Sequence, residues 1–262
     1  MKLSVSNLAW DADDNQTVYT KMREMGFCGL EIAPTKIIPG NPYDNLTEAG
    51  KWAAGLKKEY GLSVPSMQSI WYGRSEMLFG SDEERNTLLE YTKKAIDFAA
   101  AVNCGNLVFG CPRNRFVPEG KDAALAIPFF TELGAYAAEK GTVLSLEANP
   151  TIYNTNYMND TASAVAMVKE IGSDGFKLNL DVGTIIQNDE KFAEIDGIGS
   201  VINHVHVSEP RLAAIKERGL HKELAAYLKS IGYDKYVSIE VGLQEDLNSL
   251  YKMMEYVSEC FG

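Results

Sequence analysis

Four strand-like stretches of the sequence each end in a side chain that could bind a metal ion. A run of small and apolar residues ends at Glu147, just before Pro150, which cannot continue the hydrogen bonding of a strand. The same design recurs where apolar stretches end at Asp181, His206 and Glu240. A buried carboxylate without a partner is costly, so each of these groups is expected to meet a cation or a hydrogen-bond donor.

Strand parity places a polar residue behind each of these four groups. Alternate residues of a strand face the same side. The residues two positions earlier are Ser145, Asn179, His204 and Ser238. If the four strands face one another, the candidate ligands form one layer and these polar residues form the layer below it.

Strand and helix patterns alternate along the whole chain. Eight strand–helix units follow one another without a break in composition, which predicts a single (β/α)8 TIM barrel domain over residues 1–262. The alternative is a doubly wound open sheet, but no Gly-x-Gly-x-x-Gly motif follows the first strand and no phosphate-loop motif occurs. The predicted strands are 2–9, 29–33, 62–69, 106–110, 143–147, 177–182, 201–207 and 236–241.

The predicted helices carry recognisable end signals. Ser81 and Glu84 form a capping box, and Asp160 and Gly172 bound a helix between them. The predicted helices are 16–25, 47–60, 82–102, 122–140, 161–171, 189–195, 220–231 and 245–260.

A barrel of this kind brings the four strand-end groups together. Its active face is formed by the carboxyl ends of the strands, which is where Glu147, Asp181, His206 and Glu240 fall. Three carboxylates and one imidazole suit one divalent cation, with Mn²⁺, Mg²⁺ or Co²⁺ favoured and Zn²⁺ possible. For any one of these residues alone, a cap, an ion-pair partner or a hydrogen-bonded core group is the plainer interpretation.

Composition excludes several classes of protein. The chain has 262 residues and a net charge of −11, which argues against nucleic-acid binding because that relies on neutralising phosphates. The four cysteines form no Cys-x-x-Cys pair, which indicates reduced thiols and a cytoplasmic protein. The sequence shows neither a secretory signal nor an apolar run long enough to predict a membrane span.

The strand-end motifs resemble those of a known superfamily. They look like the xylose-isomerase-like barrels, and in particular like sugar phosphate isomerases/epimerases, which include the D-tagatose 3-epimerase type. The resemblance covers essentially the whole chain. It implies that Glu147, Asp181, His206 and Glu240 bind one divalent metal, and that Glu147 and Glu240 are also the acid/base pair. The motifs are Leu146-Glu147-Ala148-Asn149-Pro150, Leu180-Asp181-Val182-Gly183, His204-Val205-His206-Val207-Ser208-Glu209 and Val237-Ser238-Ile239-Glu240.

The chemistry expected from this site is proton transfer next to a sugar carbonyl. A metal holding the carbonyl and hydroxyl oxygens would stabilise an enediolate, and two carboxylates would remove and return the proton. The expected function is isomerisation or epimerisation of a sugar or sugar derivative. Two alternatives are a metal-dependent dehydratase of a sugar acid or inositol, and a non-catalytic barrel that binds a metabolite.

The sequence departs from its relatives at two positions. Thr184 stands where many members have a histidine three residues after the aspartate, which puts epimerase-type substrate handling in doubt. Gln68 ends the third strand where the apurinic endonuclease branch would supply a metal-binding histidine. These departures and the acidic charge weaken a DNA-repair function.

Loops after the strands supply candidate substrate contacts. Arg113 and Arg115 could clamp a phosphate or carboxylate, since guanidinium groups bind such oxyanions bidentately; the alternative is pairing with acidic neighbours. Four further residues are candidate contacts, although each could instead be structural: Gln68, Asn149, His221 and Trp10.

A homo-oligomer is possible, because relatives are often dimers or tetramers.

Overall fold

A curled parallel sheet forms the centre of the protein. The computed structural model describes residues 1–195 and 197–262. Within them, the strands pair in the order β2-β1-β7-β6-β5-β4-β3, and every pairing is parallel. The strands are β1 (Lys2–Ser6), β2 (Gly29–Glu31), β3 (Leu107–Phe109), β4 (Leu144–Glu147), β5 (Phe176–Asp181), β6 (Ile202–Val207) and β7 (Tyr236–Ile239).

An irregular stretch, the segment 62–68, joins the two edge strands and closes the barrel. The N–H of Leu30 in β2 donates to the carbonyl of Ser63 at 2.8 Å, and the N–H of Val108 in β3 donates to that of Met67 at 2.8 Å. The pairing is limited to isolated bridges, because Pro65 has no N–H to donate to a ladder. The predicted barrel is confirmed, although its third strand is not regular.

Helices connect the strands and pack against the sheet. Close packing depends on Gly134, in the helix that leads to β4: a Cβ on Gly134 would lie 2.9 Å from the Cβ of Phe176 in β5. This close approach lets Phe130 stack on Phe176 with ring centroids 4.9 Å apart. The helices are α1 (Asn15–Glu24), α2 (Pro34–Ile37), α3 (Leu46–Tyr60), α4 (Asp82–Ala101), α5 (Ala126–Glu139), α6 (Thr161–Ile171), α7 (Val182–Asn188), α8 (Gly219–Ser230) and α9 (Leu247–Phe261).

One predicted helix is wrong. The sequence predicts a helix at 189–195, but α7 begins directly after β5 and ends where Asp189 adopts a left-handed conformation. The reason is Asp181, whose side chain accepts hydrogen bonds from the N–H groups of Gly183 and Thr184 and so starts the helix at once. By contrast, the capping box of Ser81 and Glu84 is present as predicted.

None of the helices in the described part of the chain combines the length and apolar character needed to cross a membrane.

Candidate metal centre and cavity

The four strand-end groups meet at the carboxyl ends of the strands. Glu147, Asp181, His206 and Glu240 each offer one ligand atom, and these atoms all lie within 4.8 Å of one another. Nδ1 of His206 lies 3.0 Å from Oε1 of Glu147 and 3.1 Å from Oε2 of Glu240. Strand register contributes, since Asp181 and His206 are direct partners in the ladder of β5 and β6.

The imidazole of His206 presents one nitrogen to this cluster and the other to Glu31. Nε2 lies 2.9 Å from Oε2 of Glu31. Because a carboxylate only accepts hydrogen bonds, Nε2 carries a proton. Nδ1 is buried and makes no hydrogen bond of good geometry with the described residues, although the carboxylates of Glu147 and Glu240 lie beside it. A nitrogen that faces three carboxylates fits a divalent cation, and the donor set of three oxygens and one nitrogen suits such an ion.

The negative charge around His206 also fits a cation site. Burial would lower the pKa of His206, but Glu240 and Glu31 raise that pKa well above its usual value. Since a metal ligand must be deprotonated, cation binding at Nδ1 would displace a proton.

Glu31 is the residue of this centre that sequence reasoning missed. It is fully buried, and it lies 3.1 Å from Nε2 of His204 and accepts a 3.1 Å hydrogen bond from Nε2 of Gln68. Burial raises the pKa of Glu31, yet His206 and His204 hold it well below its usual range. A signal was present in the sequence, because Glu31 ends an apolar strand as Glu147 does.

Asp181 serves both the helix and the cluster. Its Oδ2 accepts from the N–H of Thr184 at 2.7 Å and lies 2.8 Å from the Thr184 hydroxyl. Its Oδ1 accepts from the hydroxyl of Ser208. Burial and the charge of Glu147 raise the pKa of Asp181. Thr184 thus contacts a candidate ligand.

The two glutamates differ in their surroundings. Glu147 accepts hydrogen bonds from Nδ2 of Asn179 at 2.7 Å and from Nδ2 of Asn149 at 3.0 Å. The pKa of Glu240 is raised by burial, against the opposing effect of His206. One carboxylate is therefore fixed by two amides, and the other is drawn toward its neutral form.

A cavity of about 570 Å³ opens above this cluster. Glu147, Asp181 and Glu240 line it together with Trp71 and Tyr153. Its volume lies within the usual range for small-molecule sites. The arrangement thus combines a small-molecule chamber with acid/base groups and a candidate cation site.

Comparison with protein families decides the classification. A family model described as xylose isomerase-like TIM barrel matches residues 19–255. The chain belongs to this family. Among curated protein sequences, none matches the chain significantly.

Solved structures share the xylose isomerase-like fold over essentially the whole chain. D-psicose 3-epimerase from Clostridium cellulolyticum H10, solved with D-tagatose, has a TM-score of 0.79 and 17% identity, covering 100% of this chain and 99% of that one. The 3-keto-D-glucoside 4-epimerase of E. coli has a TM-score of 0.76 and 18% identity, covering 99% and 100%. The IOLI protein with a bound zinc atom has a TM-score of 0.72 and 15% identity, covering 99% and 96%.

Three of the predicted substrate contacts lie on the cavity of this xylose isomerase-like barrel. Gln68, Asn149 and Arg113 line its wall. The amide nitrogen of Gln68 donates to Ser6 and Glu31, which leaves its oxygen as the group available to a ligand. Asn149 also steadies Glu147. Arg113 is exposed, and no carboxylate in the described residues pairs with it.

Arg115 does not line the cavity. Its side chain is fully buried, and it donates to the carbonyls of Glu147 at 2.8 Å and Met158 at 3.3 Å. Burial lowers its pKa to about 10, so the guanidinium stays charged at neutral pH. Its donors are directed at the backbone beneath Glu147, which corrects the expectation of a two-arginine clamp.

Trp10 and His221 also lie outside the cavity wall. Trp10 is buried, and its Nε1 donates to Asn15 at 2.8 Å. His221 is buried between α8 and α9, where its Nδ1 lies 2.9 Å from the hydroxyl of Tyr256. Both side chains turn into packed regions instead of the chamber, so the structure gives them packing roles.

Proposed function

We propose that this protein is a divalent-metal-dependent isomerase or epimerase of a sugar or sugar derivative. The observation that carries the proposal is the buried Nδ1 of His206, which makes no hydrogen bond of good geometry with the described residues and faces Glu147, Asp181 and Glu240 at the floor of a small-molecule cavity. Solved structures of the same fold support it, because they include a D-psicose 3-epimerase and a 3-keto-D-glucoside 4-epimerase.

The residues that would hold the cation are Glu147, Asp181, His206 and Glu240. Their oxygen-rich donor set favours Mn²⁺, Mg²⁺ or Co²⁺, and Zn²⁺ also fits. When bound, such a cation supplies Lewis acidity that polarises a carbonyl and stabilises developing negative charge.

Glu147 and Glu240 would carry the proton. One carboxylate oxygen takes the proton from the carbon next to the sugar carbonyl, and the other glutamate returns one. Return to the same carbon on its other face gives epimerisation. Return to the former carbonyl carbon, with the neighbouring hydroxyl proton passing to the former carbonyl oxygen, gives isomerisation. Asn179 and Asn149 fix the direction of the Glu147 carboxylate for this transfer.

Metal content is the first test. Elemental analysis of the purified protein should find about one divalent ion per chain, and the Glu147→Gln/Asp181→Asn double variant should lose it. The metal-loaded protein is then screened against ketoses and aldoses by NMR and mass spectrometry. A product of unchanged mass supports the proposal, and loss of one water would replace it with a dehydratase. Absence of metal even after incubation with excess Mn²⁺ would overturn it.

Arg113 supports a narrower proposal about the substrate. It is an exposed cation in the cavity wall that pairs with no carboxylate of the described residues, and guanidinium groups bind phosphate or carboxylate bidentately. The substrate would then be a phosphorylated or carboxylated sugar. Arg113→Ala should raise KM for such a substrate far more than for the neutral sugar. Equal effects on both would contradict the idea.

A further inference from the structure

Glu31 connects the candidate metal centre to the cavity wall through hydrogen bonds on both of its oxygens. Oε2 lies 2.9 Å from Nε2 of His206 and 3.1 Å from Nε2 of His204. Oε1 accepts from Nε2 of Gln68 at 3.1 Å. Because a carboxylate only accepts, Oε1 accepts from the amide of Gln68 and Oε2 accepts from the protonated Nε2 of His206. Nε2 of His204 is shared with the hydroxyl of Ser238, which lies 2.8 Å away.

We infer that Glu31 is a positioning residue that orients His206 toward the metal and Gln68 toward the substrate. This inference rests on the proposed function, because it assumes that Nδ1 of His206 is a ligand. By accepting the proton on Nε2, Glu31 leaves Nδ1 as the nitrogen that can coordinate. By accepting from the amide nitrogen of Gln68, it leaves the amide oxygen of Gln68 for a substrate hydroxyl.

Burial makes this arrangement specific. Glu31, His206 and His204 are each 2% exposed or less, so water cannot replace a lost partner. Metal-bound histidines commonly donate their other N–H to a carboxylate, which fixes ring orientation and raises ligand basicity. Glu31 stands in that relation to His206 from a different strand of the barrel.

The isosteric change Glu31→Gln tests the contacts of Glu31 with His206 and with Gln68. An amide has one acceptor oxygen, so its NH₂ must face either His206 or Gln68. In the first orientation Nε2 of His206 must lose its proton, and the proton moves to Nδ1 and blocks the ligand position. In the second orientation two NH₂ groups meet and the amide of Gln68 must turn over, while the neutral oxygen that faces Nε2 of His206 no longer raises the basicity of Nδ1 as a carboxylate does. Because glutamine has nearly the same shape as glutamate, a loss of metal affinity in either orientation would come from the lost acceptor and not from altered packing.

The primary measurement is the dissociation constant for Mn²⁺, obtained by competition with a chelator. We expect Glu31→Gln to bind about 10- to 100-fold more weakly, the usual effect of losing such a partner. The matched control is Ser145→Ala, a buried barrel substitution whose hydroxyl donates to Asn106. This control should bind within about twofold of the unaltered protein, since Asn106 has no hydrogen bond to Glu31 or His206 in the described contacts.

A second measurement needs no substitution at Glu31. The chain contains three histidines, so nitrogen NMR of the Zn²⁺-loaded protein can resolve each ring, with His204→Gln and His221→Gln variants for assignment. We expect His206 to keep a slowly exchanging proton on Nε2. A proton on Nδ1 of His206 in the loaded protein would overturn the inference.

The outcomes separate this inference from the proposed function. Metal binding by the unaltered protein together with an equal affinity of a folded Glu31→Gln variant would overturn only the role of Glu31. Failure of the unaltered protein to bind any divalent ion would overturn the proposed metal site, and the role of Glu31 with it. Weaker binding by Glu31→Gln, with affinity retained in Ser145→Ala, supports both.

Discussion

Asn179 and Glu147 lie opposite each other on β5 and β4, and Nδ2 of Asn179 donates to Oε1 of Glu147 at 2.7 Å. A hydrogen bond to a charged group contributes about 1.5–3 kcal/mol. If Glu147 transfers a proton, Asn179→Ala should therefore lower kcat by roughly 10- to 100-fold while KM changes less. Steady-state kinetics on the sugar identified by screening measures this split.

The matched control for Asn179 is another buried asparagine of the barrel. Nδ2 of Asn203 donates to Oδ1 of Asn106 near the amino ends of the strands. Asn203→Ala should lower thermal stability without a comparable fall in kcat. A fall of the same size in both variants would show that the effect of Asn179→Ala comes from general loosening of the barrel.

Gly110 leaves room for the carboxylate of Glu147. A Cβ at this position would lie 2.9 Å from Oε2 of Glu147 and 3.4 Å from Oδ1 of Asn149. Gly110→Ala should displace the carboxylate by a few tenths of an ångström and lower kcat/KM by at least about tenfold, since small misplacements are costly in catalysis. Kinetics and metal titration of the variant test this.

Gly105→Ala is the control for that substitution. Gly105 lies just before β3, and a Cβ there would meet no atom of the described residues within 4 Å. Its activity should stay close to that of the unaltered protein. If Gly110→Ala is equally active, the space beside Glu147 has no catalytic importance.

Arg115 is expected to matter for stability. Arg115→Ala removes a fully buried side chain and the donors to the carbonyls of Glu147 and Met158. The free energy of unfolding should fall by about 2–4 kcal/mol, combining a cavity with lost hydrogen bonds. Urea denaturation measures it. Arg113→Ala is the contrast, because an exposed arginine should change stability by no more than about 0.5 kcal/mol.

His221 should make stability depend on pH. Burial lowers its pKa to about 4, against the opposing charge of Glu209 and aided by that of Arg218. The unfolded chain, whose histidine titrates near pH 6.5, therefore binds this proton more readily than the folded one. Stability should fall as pH drops from about 6.5 toward 4, by an amount on the order of 2–3 kcal/mol from this group.

The His221→Gln variant isolates that contribution. Its unfolding free energy should decline less steeply over the same pH range, because the titrating ring is absent. Urea titrations at several pH values compare the two proteins. Identical slopes would mean that other groups account for the acid lability.

The sequence predicts which strands end in candidate ligands, but it does not predict the direction in which a loop side chain such as Arg115 points. Apolar runs ending at Glu147 and Asp181 predict the barrel and the cluster, because the carboxyl ends of parallel strands meet at one face. Whether Arg115 enters the cavity or passes beneath Glu147 depends on packing between residues distant in sequence. Periodicity carries no information about that choice.

Glu31 and Asp181 show two further limits. Glu31 ends a short strand with no distinctive motif, and its importance comes from contacts with residues more than thirty positions away. The position of Asp181 predicts a ligand but gives no sign that its side chain caps α7, so the helix predicted at 189–195 begins too late. Asp181 both faces the metal cluster and caps a helix, and the sequence pattern indicates only the first of these roles.

The segment 62–68 ties ligand occupancy to the integrity of the barrel. It completes the wall through isolated bridges instead of a continuous ladder, so its amides should exchange with solvent sooner than those of β4 to β6. It also ends at Gln68, which lines the cavity. By thermodynamic linkage, a molecule that binds Gln68 only in the closed barrel would stabilise the closed state of the segment 62–68. The free energy of opening this segment would in turn limit the affinity for that molecule.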